Sequence, residues 1–326
     1  LQKFICFFGP AALLFCASLG ASPHLLVKYQ YNNHNYEVQG VRTDRGYLFA
    51  DDSTDKTVVI STLNWQPYIG ENLCKQGWVQ QLTVALLHSQ GYAVHSQFRP
   101  WARAVQETES GDSDILYPEY FIEPRAPSDI YPGTNRLKHL ALSDPFPGGT
   151  IALIKRKGEA DKFNGELKNL KGEHIGVVRG YQNTPEFDEL MDQGYFQTIQ
   201  TTHDLQLARM LLAGRVKLII GDPKVIFYNI SQANSSSPGF SSDVSKLEVI
   251  EPALQYNHLY YAISRKKDNW QQLLGDINKA LAHFTESSEL QNIIDRTVHH
   301  CGYGNDDRHQ PDLLIDMKKP LNEWPI

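Results

Sequence analysis

Two segments of this chain put chemistry-bearing side chains directly beside short apolar runs. One is Thr62-Leu-Asn-Trp65-Gln-Pro67-Tyr68, which follows Val58-Val-Ile60. The other is Gly214-Arg-Val-Lys-Leu-Ile-Ile-Gly-Asp222, which ends an apolar stretch on a carboxylate. Rings that stack on a ligand and a carboxylate that takes a cation or a donor are useful where a strand delivers them to a cleft. Each has a plainer alternative. Trp65 and Tyr68 fill a core equally well, and Asp222 before Pro223 is also a good helix N-cap. Gly180, at a strand-to-helix turn, would let helix amides meet an anion. Glu119 and Asp222 offer an acid–base pair across a cleft, although nothing in the sequence marks either as perturbed.

The elements that must position these groups alternate between strand and helix. Val58-Val-Ile60, Tyr92-Ala-Val-His-Ser and Ile115-Leu-Tyr117 read as strands. Between them, Trp78, Val79, Leu82, Ala85 and Leu86 share a helical face, and Trp101 to Val105 opens an amphipathic helix after Pro100. The cadence repeats after Pro145-Phe-Pro-Gly-Gly149. Thr150 to Ile154 and Ile175 to Val178 read as strands, with Pro185 suited to a first helical turn. A helix is expected over Thr202 to Ala213 with Gly214 as its left-handed cap, then a strand at Lys217 to Ile220. Leu259 to Ile263 reads as a strand returning to the first unit. A long helix with Asp268 as its N-cap follows, and then a shorter one carrying Leu290, Ile293 and Ile294. This pattern predicts an α/β fold of two lobes joined by two extended hinge crossings, with a cleft between them.

Residues 1–21 have the pattern of a cleaved signal peptide, with Lys3, an apolar run from Phe4 to Phe15 and small residues at Ser18 to Ala21. A membrane anchor and a lipoprotein linked through Cys16 are the alternatives. Formal net charge is -6, with 31 Lys+Arg against 37 Asp+Glu. Basic clusters interleaved with aromatics are missing, so nucleic acid is not an expected partner. In an oxidising compartment Cys74 and Cys301 are a plausible disulfide; two free thiols are the alternative. His299-His-Cys301 has no complementary group at zinc-like spacing, and neither a Walker loop nor a Gly-x-Ser-x-Gly elbow is present, so no metal, cofactor or catalytic residue is expected. Residues 22–56 are polar and tyrosine-rich, and they read as an N-terminal extension suited to a strand pair, with no role assigned.

Taken together, residues 57–300 resemble the periplasmic solute-binding proteins of the amino-acid-uptake type, which have the periplasmic-binding-protein type 2 fold. The resemblance rests on Trp65-x-Pro67-Tyr68, Trp101-x-Arg103-Ala104 before Gly111-x-x-Asp114, and Arg125 followed by Ser143-Asp-Pro-Phe146. It continues through Leu170 to Gly176, Arg179-Gly180, Ala213-Gly214-Arg215 to Asp222, and Ile277-Asn278-x-Ala280-Leu281. It implies a clamp without enzymatic activity, a monomer that closes on a small solute and hands it to an inner-membrane permease. A sensor receptor is the alternative partner, and a clamp-fold dehydratase a more distant reading.

The implied lobe 1 is 57–146 with 259–300, the implied lobe 2 is 147–258, and 301–326 is a tail. The resemblance also implies site roles. Trp65 would stack on the ligand and Arg125 would pair with its carboxylate. Gly180, Tyr181 and Gln182 would add amides and a side chain, and Asp222 would take its ammonium. Arg103 is a further cleft candidate. Glu119, in Tyr117-Pro-Glu119-Tyr120, departs from the small residues usual before the arginine, and it opposes an anion or favours a second cationic group.

Overall fold

The computed structural model describes residues 25–233 and 244–301. The leader at 1–21, most of the loop at 233–239 and the tail beyond Cys301 lie outside the described residues. A first sheet is built from β1 (Leu25–Tyr31), β2 (His34–Thr43), β3 (Gly46–Phe49) and β4 (Lys56–Thr62). It continues with β5 (Tyr92–Phe98), β6 (Ile115–Glu119) and β7 (Leu140–Leu142). A second sheet holds β8 (Phe146–Arg156), β9 (His174–Val178), β10 (Gln197–Thr201) and β11 (Leu218–Gly221). The long β12 (Leu247–Ser264) belongs to both.

In the first lobe β4 runs parallel to β5 and β6, the arrangement expected from strand–helix–strand units. The crossovers are α1 (Trp78–Ser89) and α2 (Trp101–Ser110). Helix α1 is buried on nearly every face because β1, β5 and two later helices surround it, so its apolar positions extend beyond one stripe. In the second lobe β10, β9 and β11 are parallel, linked by α3 (Pro185–Asp192) and α4 (Asp204–Leu212), and α5 (Pro223–Gln232) follows β11. Helices α6 (Trp270–Glu286) and α7 (Glu289–Cys301) return to the first lobe and pack on α1.

The two crossings are β8 and β12. Strand β12 pairs antiparallel with β8 at its start, then with β6 and β7 at its end, and its register shifts between Ile250 and Gln255 and between Asn257 and Leu259. The expected return strand at Leu259 to Ile263 is thus the last third of one long strand. Two shifts in a shared strand allow one backbone to serve two differently twisted sheets.

Two local expectations are corrected. Residues 22–56 supply three strands instead of a pair, and β3 pairs antiparallel with β5, extending the lobe 1 sheet. Tyr29 of β1 is buried, with its hydroxyl 2.7 Å from Nδ1 of His88 on α1. Helix α6 takes Asn269 as its N-cap residue, with no side-chain cap bond, so Asp268 lies one residue too early. In the second lobe the helix starts are side-chain capped: Thr184 accepts from the Phe187 amide and His203 from the Gln206 amide.

Cys74 and Cys301 are joined by a disulfide with Cα atoms 5.7 Å apart. It ties the end of α7 to the segment that follows Trp65 and Tyr68.

Candidate functional site

The cleft lies where the carboxyl ends of β4, β6, β9 and β11 meet across the crossings. The β4 loop folds back on itself: the amide of Trp65 donates to the carbonyl of Ile69 at 2.8 Å. That tight loop presents Trp65 and Tyr68 as a stacked pair, ring centroids 4.5 Å apart, and Tyr120 meets Trp65 edge-on at 5.7 Å. Both Trp65 and Tyr68 are buried, as core aromatics are, and Trp65 also lines the space between the lobes.

Asp222 ends β11 and does two jobs. Its Oδ1 accepts from the Lys224 amide at 2.8 Å, capping α5, while Oδ2 accepts from the Tyr68 hydroxyl at 2.7 Å. The second bond joins the lobes. Burial raises the Asp222 pKa, opposed by nearby Lys224 and by the Tyr68 hydrogen bond. Burial and the Asp222 charge together push the Tyr68 phenol well up, so it stays a neutral donor. Gly149, in β8, makes the contact possible: a Cβ there would lie 2.0 Å from Asp222 Oδ2 and 2.3 Å from the Tyr68 oxygen.

Trp101 gives a second link between lobes. Its indole Nε1 donates to the Gly180 carbonyl at 3.1 Å, and its ring meets Tyr181 edge-on at 6.1 Å. The reason is its place as the first residue of α2, at the lobe boundary opposite the β9–α3 turn. Tyr181 in turn donates to Asp204 at 2.9 Å. Burial raises Asp204 to about 6 and Tyr181 well above its ordinary value.

Between these groups lies a cavity of about 20 Å³, room for roughly one water. Trp65, Trp101, Tyr120 and Tyr181 line it, with Gln182 and Glu119. Glu119 ends β6 and is almost fully buried. Its Oε1 accepts from the Tyr120 amide at 3.1 Å, whereas Oε2 has no hydrogen-bond partner among the described residues. The nearest cation is buried Arg136, with Nη1 4.0 Å away and itself without a hydrogen-bond partner. Burial outweighs that attraction and raises the Glu119 pKa to about 7. The buried hydroxyl of Tyr120 also has no partner among the described residues. Buried unsatisfied polar atoms cost about 1–3 kcal/mol each, so three in one place mark a site kept for something other than stability.

Two expected site residues lie elsewhere. Arg125 is 80% exposed and pairs with Glu189 of α3 at 3.5 Å, across the outer mouth of the lobes. The loop after β6 carries its side chain outward. Arg103 is 68% exposed and bonds Glu107 at 2.7 Å, one helical turn along α2. An i,i+4 partner within the same helix holds it on the solvent face. The Tyr181 amide donates to the Val178 carbonyl at 3.2 Å and the Asn183 amide to Asp188 at 2.9 Å. Of the three expected anion-binding amides, that of Tyr181 is therefore already engaged, and Gly180 contributes a carbonyl to the cleft.

The structure thus brings together Trp65, Tyr68, Glu119, Gly180, Tyr181, Gln182 and Asp222, and leaves out Arg103 and Arg125. Sequence reasoning missed Trp101, Tyr120, Gly149 and Arg136 as site residues. Tyr120 was legible as the neighbour of Glu119, and Gly149 as half of a glycine pair opening a strand. Arg136 carries no local signal, because it reaches Glu119 from an irregular segment seventeen positions on.

The chain matches no family model, and no curated protein matches it in sequence. Solved structures do match in fold. A histidine kinase sensor domain with similarity to periplasmic binding proteins aligns at TM-score 0.60 and 17% identity, over 76% of this chain and 98% of its own. An ancestral arginine-binding protein bound to arginine aligns at 0.58 and 18%, over 74% and 97%. The GluR0 ligand-binding core from Nostoc punctiforme, in complex with L-glutamate, aligns at 0.55 and 13%, over 73% and 98%. This chain has the periplasmic-binding-protein type 2 fold, a two-lobed α/β clamp.

Proposed function

We propose that this protein binds a small polar solute between its lobes, outside the inner membrane, and that closure presents the bound form to a membrane partner. The observation that carries the reading is the lining of the space between the lobes, which this closed form shrinks to room for about one water. Both lobes line it with rings, and its Glu119 and Tyr120 oxygens are buried without partners among the described residues. A ligand with hydrogen-bond donors and an apolar face would satisfy both features. The lobes already touch through Tyr68–Asp222 and Trp101–Gly180, so opening and closing would break and remake few bonds.

Export through the leader at 1–21 fits this role, as does the Cys74–Cys301 disulfide, a feature of oxidising compartments. The partner is a permease or a sensor receptor, and an alignment partner described as a kinase sensor domain supports the second as much as the arginine-binding protein supports the first. The test is a thermal-shift screen of mature protein refolded to strip carried ligand, against amino acids, di-acids, polyamines and short peptides. A shift of several degrees from one class is expected. The absence of any shift across all classes would overturn the reading.

A further inference from the structure

The charge balance of the cleft goes further than solute binding and rests on it. The neighbours of Glu119 are Arg136, Asp129, Glu109 and Tyr120. Arg136 is shared: its Nη2 donates to Asp129 at 3.3 Å, and it also offsets Glu109. Across the cleft, Asp222 and Asp204 face Tyr120, with Lys224 as the compensating cation beside Asp222. Five carboxylates thus face two cations. Neither Arg103 nor Arg125 enters, and the Tyr181 amide, one of those that would hold an anion, is taken by the Val178 carbonyl.

We propose that the cleft takes a compact organic cation without a carboxylate, a primary amine or guanidinium, whose N–H groups reach Glu119 Oε2 while its charge lies against the rings of Trp65, Trp101, Tyr120 and Tyr181. Ring faces attract such cations, more strongly when water is excluded. A carboxylate on the same ligand would meet Glu119 and Asp222, and the nearest arginine, Arg136, is already held between Glu119 and Asp129. The cation also stabilises the ionised form of Glu119, so binding releases a proton from a group that holds it up to about pH 7 in the free protein. Affinity therefore rises with pH and levels off above about 7. Asp204, near 6, adds to the lower end of that rise.

The experiment is calorimetric titration of the refolded mature protein with five compounds: 1,4-diaminobutane, 4-aminobutanoate, succinate, agmatine and L-arginine. The two carboxylate-free cations are expected to bind at least tenfold more tightly than their carboxylate-bearing counterparts. Their affinity should climb about tenfold between pH 6 and pH 7.5. Glu119→Gln should cut it at least tenfold and flatten the pH dependence, which a purely structural role would leave in place. If that variant does not fold, Trp65→Leu should give a comparable loss while keeping the pH dependence. Tighter binding of arginine, 4-aminobutanoate or succinate overturns the charge class and leaves solute binding standing. Failure of all five to bind also overturns it, and the wider thermal-shift panel then separates a ligand of another charge from no ligand.

Discussion

The contact between Tyr68 and Asp222 is the point where a single atom decides whether the lobes can meet. Tyr68→Phe removes the hydroxyl that donates to Asp222 Oδ2 and deprives a buried carboxylate oxygen of that hydrogen bond in the closed form. A loss of about 1–3 kcal/mol is expected in urea unfolding of the ligand-free protein. Gly149→Ala acts at the same contact from the other side. The added Cβ would overlap both oxygens, so they must move away by roughly an ångström or more, at a cost of at least about 1–3 kcal/mol. We expect ligand affinity to fall more than tenfold in Gly149→Ala, read by calorimetry. Unchanged affinity would show that this contact is not part of closure. By contrast, Arg125→Ala should leave affinity within about twofold, because the guanidinium is exposed and paired with an exposed Glu189.

At the scale of elements, the disulfide matters because of what it holds. Cys74 belongs to the turn after the Trp65–Tyr68 loop, and Cys301 to the last residue of α7, 227 positions away. Replacing both by serine should lower stability by about 2–4 kcal/mol in chemical unfolding, since so long a loop is closed. Ligand affinity should weaken as well, because the loop loses one anchor; if affinity holds while stability falls, the anchor serves stability alone. The elements themselves were largely legible. Helical spacing located α1, α2 and α4, and Pro185 and Pro223 sat in first turns as expected. The strand runs were readable because parallel strands buried on both faces are continuous apolar stretches. Strand β12 was under-read because its middle, Glu251 to Asn257, carries Pro252 and is mostly exposed or half-buried, with neither a continuous apolar run nor a clean alternation. The extension's third strand was missed because Gly46-Tyr-Leu-Phe49 is too short to show alternation. At the site, residues next to strand ends were legible. The direction of a long side chain such as Arg103 or Arg125 was not, since it depends on a carboxylate brought close by the fold.

For the whole molecule, the buried acids set how stability follows pH. Burial raises Glu119 to about 7 and Asp204 and Asp188 to about 6, above their values in an unfolded chain. In the window between about 4 and 7 the folded state holds protons that the unfolded state has released. Stability from these groups is complete below that window and lost as pH rises through it, at up to about 1.4 kcal/mol per unit for each group. Carboxylates held low by partners, such as Asp161 beside Lys155 and Glu173 beside Lys162, work in the opposite sense only at more acid pH. The melting temperature of ligand-free protein should therefore be higher near pH 5 than near pH 8, and a steady rise over that range would contradict the assignment. If one ligand is held by both lobes at once, hydrogen exchange of the refolded protein, with and without the compound giving the largest thermal shift, should show added protection together at residues 63–70 and 117–122 of lobe 1 and at 180–184 of lobe 2. Protection confined to one lobe, or lying outside these segments, would contradict it.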